Sequence, residues 1–415
     1  MAIIRPFKAI RPQAKYASEV AALPYDVMNR EEAFQEIQDK PYSFLRIDRA
    51  ETTLSPNIST YDDRVYQKAR ENLETLIQDK IYLQDPKPSL YLYQLTMDER
   101  NQTGLVCCAS VDEYLNNNIK KHEKTREDKE IDRIKHVDSL NANTGPIFLA
   151  YRQKEKIAEL TASIKEQSPE INFIADDGIK HAVWIIEDED MIEALISEFS
   201  ELEALYIADG HHRCASAVRV AQMRREEFPD YNGDEEFNYF LSVLFPDEEL
   251  KIYDYNRLIK DLNGLTEKEL LEKINEKFEI RKLGKEIYKP QVKAEFAMYL
   301  SGDWYQIKAK KDSYDSDDII ASLDVSILQN NLLNPILGIE DPRTDNRIDF
   351  VGGIRGLGEL KRRVDNGEMQ IAFALYPTSI SELFAVADAN LLMPPKSTWF
   401  EPKLRSGLFI HSLSD

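Results

Sequence analysis

Short apolar runs alternate with charged stretches of helical period along the whole chain, and this alternation restricts the fold more than any other feature. Residues 89–95, 104–111, 146–151, 182–186, 204–208 and 237–245 read as strands, as does 3–10, which Arg11-Pro12 closes. Residues 61–80 place Val65, Ala69, Leu73, Leu76 and Ile77 on one face of a helix, and a second helix is expected around 191–199. Beyond 250 the pattern predicts a Glu/Lys-rich helix and a hairpin of 294–300 with 304–309, turned at Ser301-Gly302-Asp303. A strand at 369–376, a helix at 379–390 and a last strand at 407–412 follow. The expected class is α/β, in the mixed α+β sense. With 415 residues the chain exceeds what one core usually organises, so it reads as multi-domain. The segments expected are an N-terminal α/β region at 1–105, a core at 106–250 and a C-terminal α/β region at 251–415.

Charge and composition exclude several classes. Asp and Glu number 74 against 53 Lys and Arg, so nucleic acid and anionic membranes meet net repulsion, and neither is expected as a partner. No apolar run approaches a membrane span, and the first residues lack the apolar core of an export signal. Three cysteines, two of them the adjacent Cys107 and Cys108, make no disulfide framework or zinc comb. A cytoplasmic location is expected.

The most informative segment is 204–218. The apolar run 204–208 leads into Asp209-Gly210-His211-His212-Arg213, and a helix follows with Cys214, Ala217, Val218, Ala221 and Phe228 on one face. The amides at a helix start carry a partial positive charge that suits phosphate or carboxylate, Gly210 allows close approach, and Arg213 adds a bidentate donor. Asp209 could hold a metal ion or orient a histidine, and His211 and His212 could donate to phosphate oxygens or move a proton. The competing reading makes Asp209 the N-cap and the histidines a solvated helix start. Residues 209–225 carry four basic side chains and one acidic, which favours an anionic ligand.

Three further segments are candidates. Residues 119–138 hold His122, Glu123, Lys124, Thr125, Arg126 and Lys129, with Asp132 and Arg133 as a candidate structural ion pair. Residues 393–403 break the α/β rhythm with three prolines around Lys396, Ser397, Thr398 and Lys403, which are phosphate-type ligands, while Trp399 and Phe400 cover a base or pin the loop. The run Val351-Gly352-Gly353-Ile354-Arg355-Gly356-Leu357-Gly358 offers backbone amides to an anion or a close approach between elements.

The string D-G-H-H-R-x-x-A resembles the D-G-H-T-R of free serine kinases and the G-x-x-R-x-x-A box of ParB-type domains, within the ParB/sulfiredoxin superfamily. Over nearly its whole length the chain resembles the domain of unknown function 1015 (DUF1015) family. The segments that carry this are Leu23-Pro24-Tyr25-Asp26-Val27, Lys121-His122-Glu123-Lys124-Thr125-Arg126, the Asp209 turn, and Met393-Pro394-Pro395-Lys396-Ser397-Thr398-Trp399-Phe400. The resemblance implies a strand-turn-helix nucleotide-binding core of the ParB/sulfiredoxin kind. His211 stands where sulfiredoxin has its cysteine, which removes that activity. No basic helix-turn-helix pair follows, which disfavours DNA partition.

The function these features imply is nucleotide-dependent phosphoryl transfer to a small hydroxylated metabolite, with free L-serine the first candidate and ATP or ADP with Mg2+ as donor. Glu123 is the candidate general base, by likeness to the L-x-P-H-E box of the serine kinases, although the proline is missing. Asp209 and His211 are the other candidate catalytic groups, with Asp209 also the candidate metal ligand. Gly210, His212, Arg213, Lys396, Ser397, Thr398 and Lys403 are candidate phosphate ligands, and His122 and Arg126 candidate substrate contacts. The alternative is a ParB-like regulatory module that binds CTP or ATP without metabolite kinase activity. A homodimer is compatible with either.

Overall fold

The computed structural model describes residues 2–414, and the fold is mixed α/β. Two compact units make up the chain. The first comprises Met1–Lys121, Thr125–Leu250 and Pro402–Asp415, the second His122–Lys124 and Lys251–Glu401.

The first unit is built on a nine-stranded mixed sheet. Its strands are β1 (Ile4–Arg5), β2 (Leu90–Met97), β3 (Arg100–Ser110), β4 (Ile119–Lys120), β5 (Ile147–Tyr151), β6 (Ile171–Ile174), β7 (Lys180–Ile186), β8 (Leu205–Asp209) and β9 (Tyr239–Pro246). They lie in the order β4-β8-β5-β9-β3-β2-β7-β6, with β1 also paired to β3. Only β4 with β8 and β5 with β9 run parallel. Strand β3 is buried from Gln102 to Ser110. Its near-continuous apolar run, where a solvated strand would alternate, follows from that interior position.

Helices α1 (Asp63–Gln78), α2 (Glu127–Leu140), α3 (Glu189–Ser200) and α4 (His211–Glu227) belong to this unit. Asp62 caps α1 by accepting from the Arg64 amide, and the face carrying Val65, Ala69, Leu73 and Leu76 is buried. Ile77, expected on that face, is 39% exposed because it lies at the edge of the stripe. On α4 the expected face holds for Cys214, Ala217, Val218 and Ala221, which pack with Leu205 and Ile207 in the main core. Phe228 departs from it: the helix ends at Glu227, and the Phe228 ring is 53% exposed. The single strand expected at 3–10 is two short ones, β1 and Ile10–Pro12, paired to different partners.

The second unit carries an antiparallel six-stranded sheet, β11-β13-β12-β15-β10-β14. Its strands are β10 (Tyr255–Ile259), β11 (Phe278–Gly284), β12 (Glu295–Leu300), β13 (Asp303–Ala309), β14 (Ile348–Gly352) and β15 (Ile371–Ala374). The expected hairpin is β12 with β13, Leu300 facing Asp303 across Ser301-Gly302. Its helices include the expected Glu/Lys-rich one at Glu267–Lys277, together with α5 (Asp324–Leu328), α6 (Gly356–Asp365) and α7 (Ile380–Asp388), the last with Ser379 and Glu382 in a reciprocal capping box. No helix among the described residues is long and apolar enough to cross a membrane.

Candidate functional site

Strand β8 delivers the Asp209 turn. Tyr206 faces Ala150 and Ile207 faces Leu149, but Phe148 is faced by Asp209, so Ala208 is an extra residue and the strand bulges at its last turn. A bulge re-aims the side chain that follows it, and here that is Asp209. Gly210 then adopts φ +90° and ψ 31° and stands as the N-cap of α4. Any side chain there would be strained by the positive φ and would press on Arg213, whose Nε and Nη2 lie 3.1 Å from the position a Cβ would take. The guanidinium thus lies against the glycine at the start of a 17-residue helix, whose first amides have no acceptor within it.

Each charged group at this turn is held from elsewhere in the first unit. Arg213 Nη1 donates to the Pro146 carbonyl at 2.6 Å. Asp209 Oδ1 accepts from the Gly210 amide at 2.8 Å, and its Oδ2 is paired with Lys403 Nζ at 2.9 Å, across 194 residues of sequence. Burial alone would raise the Asp209 carboxyl, but Lys403 and Arg213 outweigh it and hold the group well below the usual carboxylate range. Asp209 is therefore a fixed anion that anchors a lysine, and Gly210, where Asp209 was a candidate, is the N-cap. A divalent cation does not fit Asp209 in this arrangement: one oxygen is taken by an amide, the other by an ammonium.

The histidines differ. His211 is buried at 7% exposure. His212 Nε2 accepts from the Arg126 amide at 3.0 Å, which puts the proton of the neutral ring on Nδ1 and ties the turn to the start of α2. The Arg126 guanidinium pairs with Asp128 at 3.0 Å.

The first unit also holds a largely buried polar cluster that sequence reasoning identified only in part. Asp132 and Arg133 form the expected ion pair at 2.8 Å, and the Tyr66 hydroxyl donates to Asp132 at 2.9 Å. Arg133 sits 4.1 Å above the Tyr25 ring centre. The Tyr25 phenol is raised above its ordinary range by burial and then by Asp26, against the opposing pull of Arg133 and Arg213. Asp48, His136 and Thr144 meet at 3.4–3.5 Å. Asp48 and Thr144 carry no motif; only their convergence from distant positions marks them.

Of the remaining candidates, Thr125 and Lys129 stay in the first unit, donating to Glu130 at 3.0 Å and to the Tyr61 hydroxyl at 2.8 Å, and the others lie in the second. His122 and Glu123 occupy a non-helical connector, with the His122 carbonyl accepting from the Met393 amide at 2.8 Å. The Ser397 hydroxyl donates to the Pro394 carbonyl at 2.6 Å and is buried, so it shapes the proline loop. The Lys396 ammonium is 5.5 Å from the Tyr255 ring centre, and Thr398 is half-buried beside it. In the glycine run, Gly352 underlies the Trp399 indole: a Cβ there would lie 2.6 Å from the ring. Close packing accounts for that glycine. Gly352→Ala is expected to cost about 1–3 kcal/mol of stability through overpacking. Thermal melts should show the loss, and titration with inorganic phosphate should show none in binding.

The profile of the family described as "Protein of unknown function (DUF1015)" matches residues 4–326. The chain belongs to the DUF1015 family. No curated protein matches this DUF1015 chain by sequence. Among solved structures it is similar to a free serine kinase in complex with AMP, at 14% identity and TM-score 0.36, with 74% of this chain and 91% of that one covered. A conserved hypothetical protein from Pyrococcus furiosus aligns at 15% identity and TM-score 0.35, covering 74% and 94%. SbnI from Staphylococcus aureus, truncated at its C-terminus, aligns at 10% identity and TM-score 0.39, covering 74% and 87%. These likenesses assign no residue role in the DUF1015 chain.

Proposed function

We propose that this protein is a nucleotide-dependent phosphotransferase acting on a small hydroxylated metabolite, with free L-serine as the first substrate to test and ATP or ADP as donor. The observation that carries the reading is the Asp209 turn: Arg213 packed on Gly210 at the start of α4, with Lys403 pinned beside it by Asp209. The Arg213 guanidinium and the helix amides, beside the Lys403–Asp209 pair, supply the charge neutralisation that phosphoryl transfer chiefly requires. The resemblance of D-G-H-H-R to the serine kinase motif supports the same reading.

In the reaction, the serine Oγ–P bond forms as the terminal P–O bond of the nucleotide breaks, and a carboxylate takes the hydroxyl proton. Glu123 is proposed as that base; it lies three residues before Arg126, whose amide is bonded to His212. Asp26 is the second candidate, as the resemblance of the Leu23 to Val27 segment to the family suggests. Glu123→Gln and Asp26→Asn separate them: the true base loses about 10²–10⁴-fold in turnover, the other little.

Phosphorus NMR tests the function directly. Purified protein with magnesium and ATP, ADP or CTP, each with and without L-serine, should give a phosphomonoester signal only where serine, one nucleotide and protein are combined. Nucleotide lines that shift without product would instead support a CTP- or ATP-binding regulatory module. Unchanged spectra in every tube would count against both.

A further inference from the structure

The far end of α4 opens onto a cavity of about 810 Å³ in the first unit, within the size range of small-molecule sites. Its lining includes Phe228, Tyr231 and Phe237, with Glu227, Asp230 and Glu235 among the polar groups. Phe228 and Tyr231 are 53% and 38% exposed. Both are gathered around the buried Phe237, at centroid distances of 6.5 Å and 6.4 Å, the first pair near parallel at 22° and the second near perpendicular at 66°.

The electrostatics of this cavity favour a cation. Its one arginine, Arg224, is paired with Asp138 at 2.6 Å and Glu227 at 3.5 Å. Among the described residues Glu235 accepts from neutral donors, the Asn232 and Gly233 amides and the Asn238 side chain, and no cation is paired with it. Asp230 is exposed. The carboxyl end of α4, which closes at Glu227, adds the partial negative charge of a helix C-terminus. Arg225, its charge met by Asp112 at 2.7 Å, lies 5.1 Å from the Tyr231 ring centre.

We propose that this cavity binds a small organic ammonium ion, its alkyl groups against Phe228, Tyr231 and Phe237 and its charge balanced by Asp230 and Glu235. The inference is independent of the phosphotransferase reading, since it uses no residue of the Asp209 turn.

Calorimetric titration of the full chain with choline, and in parallel with its neutral isostere 3,3-dimethylbutan-1-ol, tests it. Choline is expected to bind at least about tenfold more tightly than the alcohol, the advantage of a cation over a π face and carboxylates. Phe228→Ala and Tyr231→Ala should each weaken choline binding about five- to tenfold. Both rings are exposed enough for the variants to fold, which circular dichroism checks. Asp230→Asn, fully on the surface, should weaken choline and leave the alcohol unchanged. Equal binding of choline and the alcohol, absence of choline binding at millimolar concentration, or retention of full affinity by folded Phe228→Ala would each overturn the proposal.

Discussion

On the phosphotransferase reading proposed above, Arg213→Ala is expected to lower the rate of phosphoryl transfer by about 10²–10³-fold, the usual cost of removing one preorganised donor from a site where charge develops. The guanidinium is positioned from two sides, by the Gly210 backbone beneath it and by the Pro146 carbonyl at 2.6 Å. That fixed placement is what makes it costly to lose, because a preorganised donor needs no rearrangement when the phosphoryl group moves. The structural cost is smaller, about 1–2 kcal/mol for one hydrogen bond to the carbonyl of β5's approach. Arg213→Lys separates the two contributions. A lysine retains a point charge but not the planar fork, so activity should recover only in part. Initial rates set beside thermal melts provide the check: a drop in turnover matched by an equal loss of folded protein would make Arg213 a structural residue only.

Stability of the second unit should fall as pH rises through about 7, and Asp324→Asn should remove that dependence. Asp324 is 7% exposed at the start of α5; its Oδ1 accepts from the Ala294 amide at 2.9 Å, and its Oδ2 has no partner among the described residues. Burial, with Glu382 and Glu295 nearby and opposed by the Ala294 amide and Lys293, pushes the carboxyl from 3.8 to about 7. A folded-state pKa above the unfolded one means that the folded protein holds the proton more tightly. The stabilisation is complete below the unfolded value, near pH 4, and is lost as pH climbs through about 7. At about 1.4 kcal/mol per pKa unit, the swing is of the order of 4 kcal/mol. Asparagine keeps an acceptor for Ala294 and cannot ionise, so the variant should gain on the parent above pH 7. Urea unfolding at pH 5 and pH 8 in a Trp184→Phe background, followed by the fluorescence of Trp304 and Trp399 in the second unit, reads the difference. Parallel losses in parent and variant would place the titrating group elsewhere.

Much of the secondary structure was legible because its signals are local. The period of 61–80 marked α1, and the apolar run 104–111 marked β3 and its burial. The misreadings were at margins. Phe228 fits the spacing of α4, yet the residue after it is proline, which disfavours continuation of the helix, and the chain turns out there. The same departure exposes the ring that lines the aromatic cavity.

By itself the sequence determined the class of fold, the Asp209 to Arg213 turn between strand and helix, and the acidic balance of the chain. Tertiary structure decided which cation meets Asp209. Lys396 and Lys403 stand seven residues apart in one proline-rich segment and read alike, but Lys396 belongs to the second unit and Lys403 to the first, where it closes on a carboxylate 194 residues away. Tertiary structure also decided that Asp48, Thr144 and His136 converge, and that Asp324 is buried with an oxygen left over. The physical reason is common to all of these. Periodicity and capping act over a few residues and leave a trace in composition, whereas a long-range ion pair or a buried carboxyl depends on where the backbone places two distant groups, and either partner alone looks like any other charged residue.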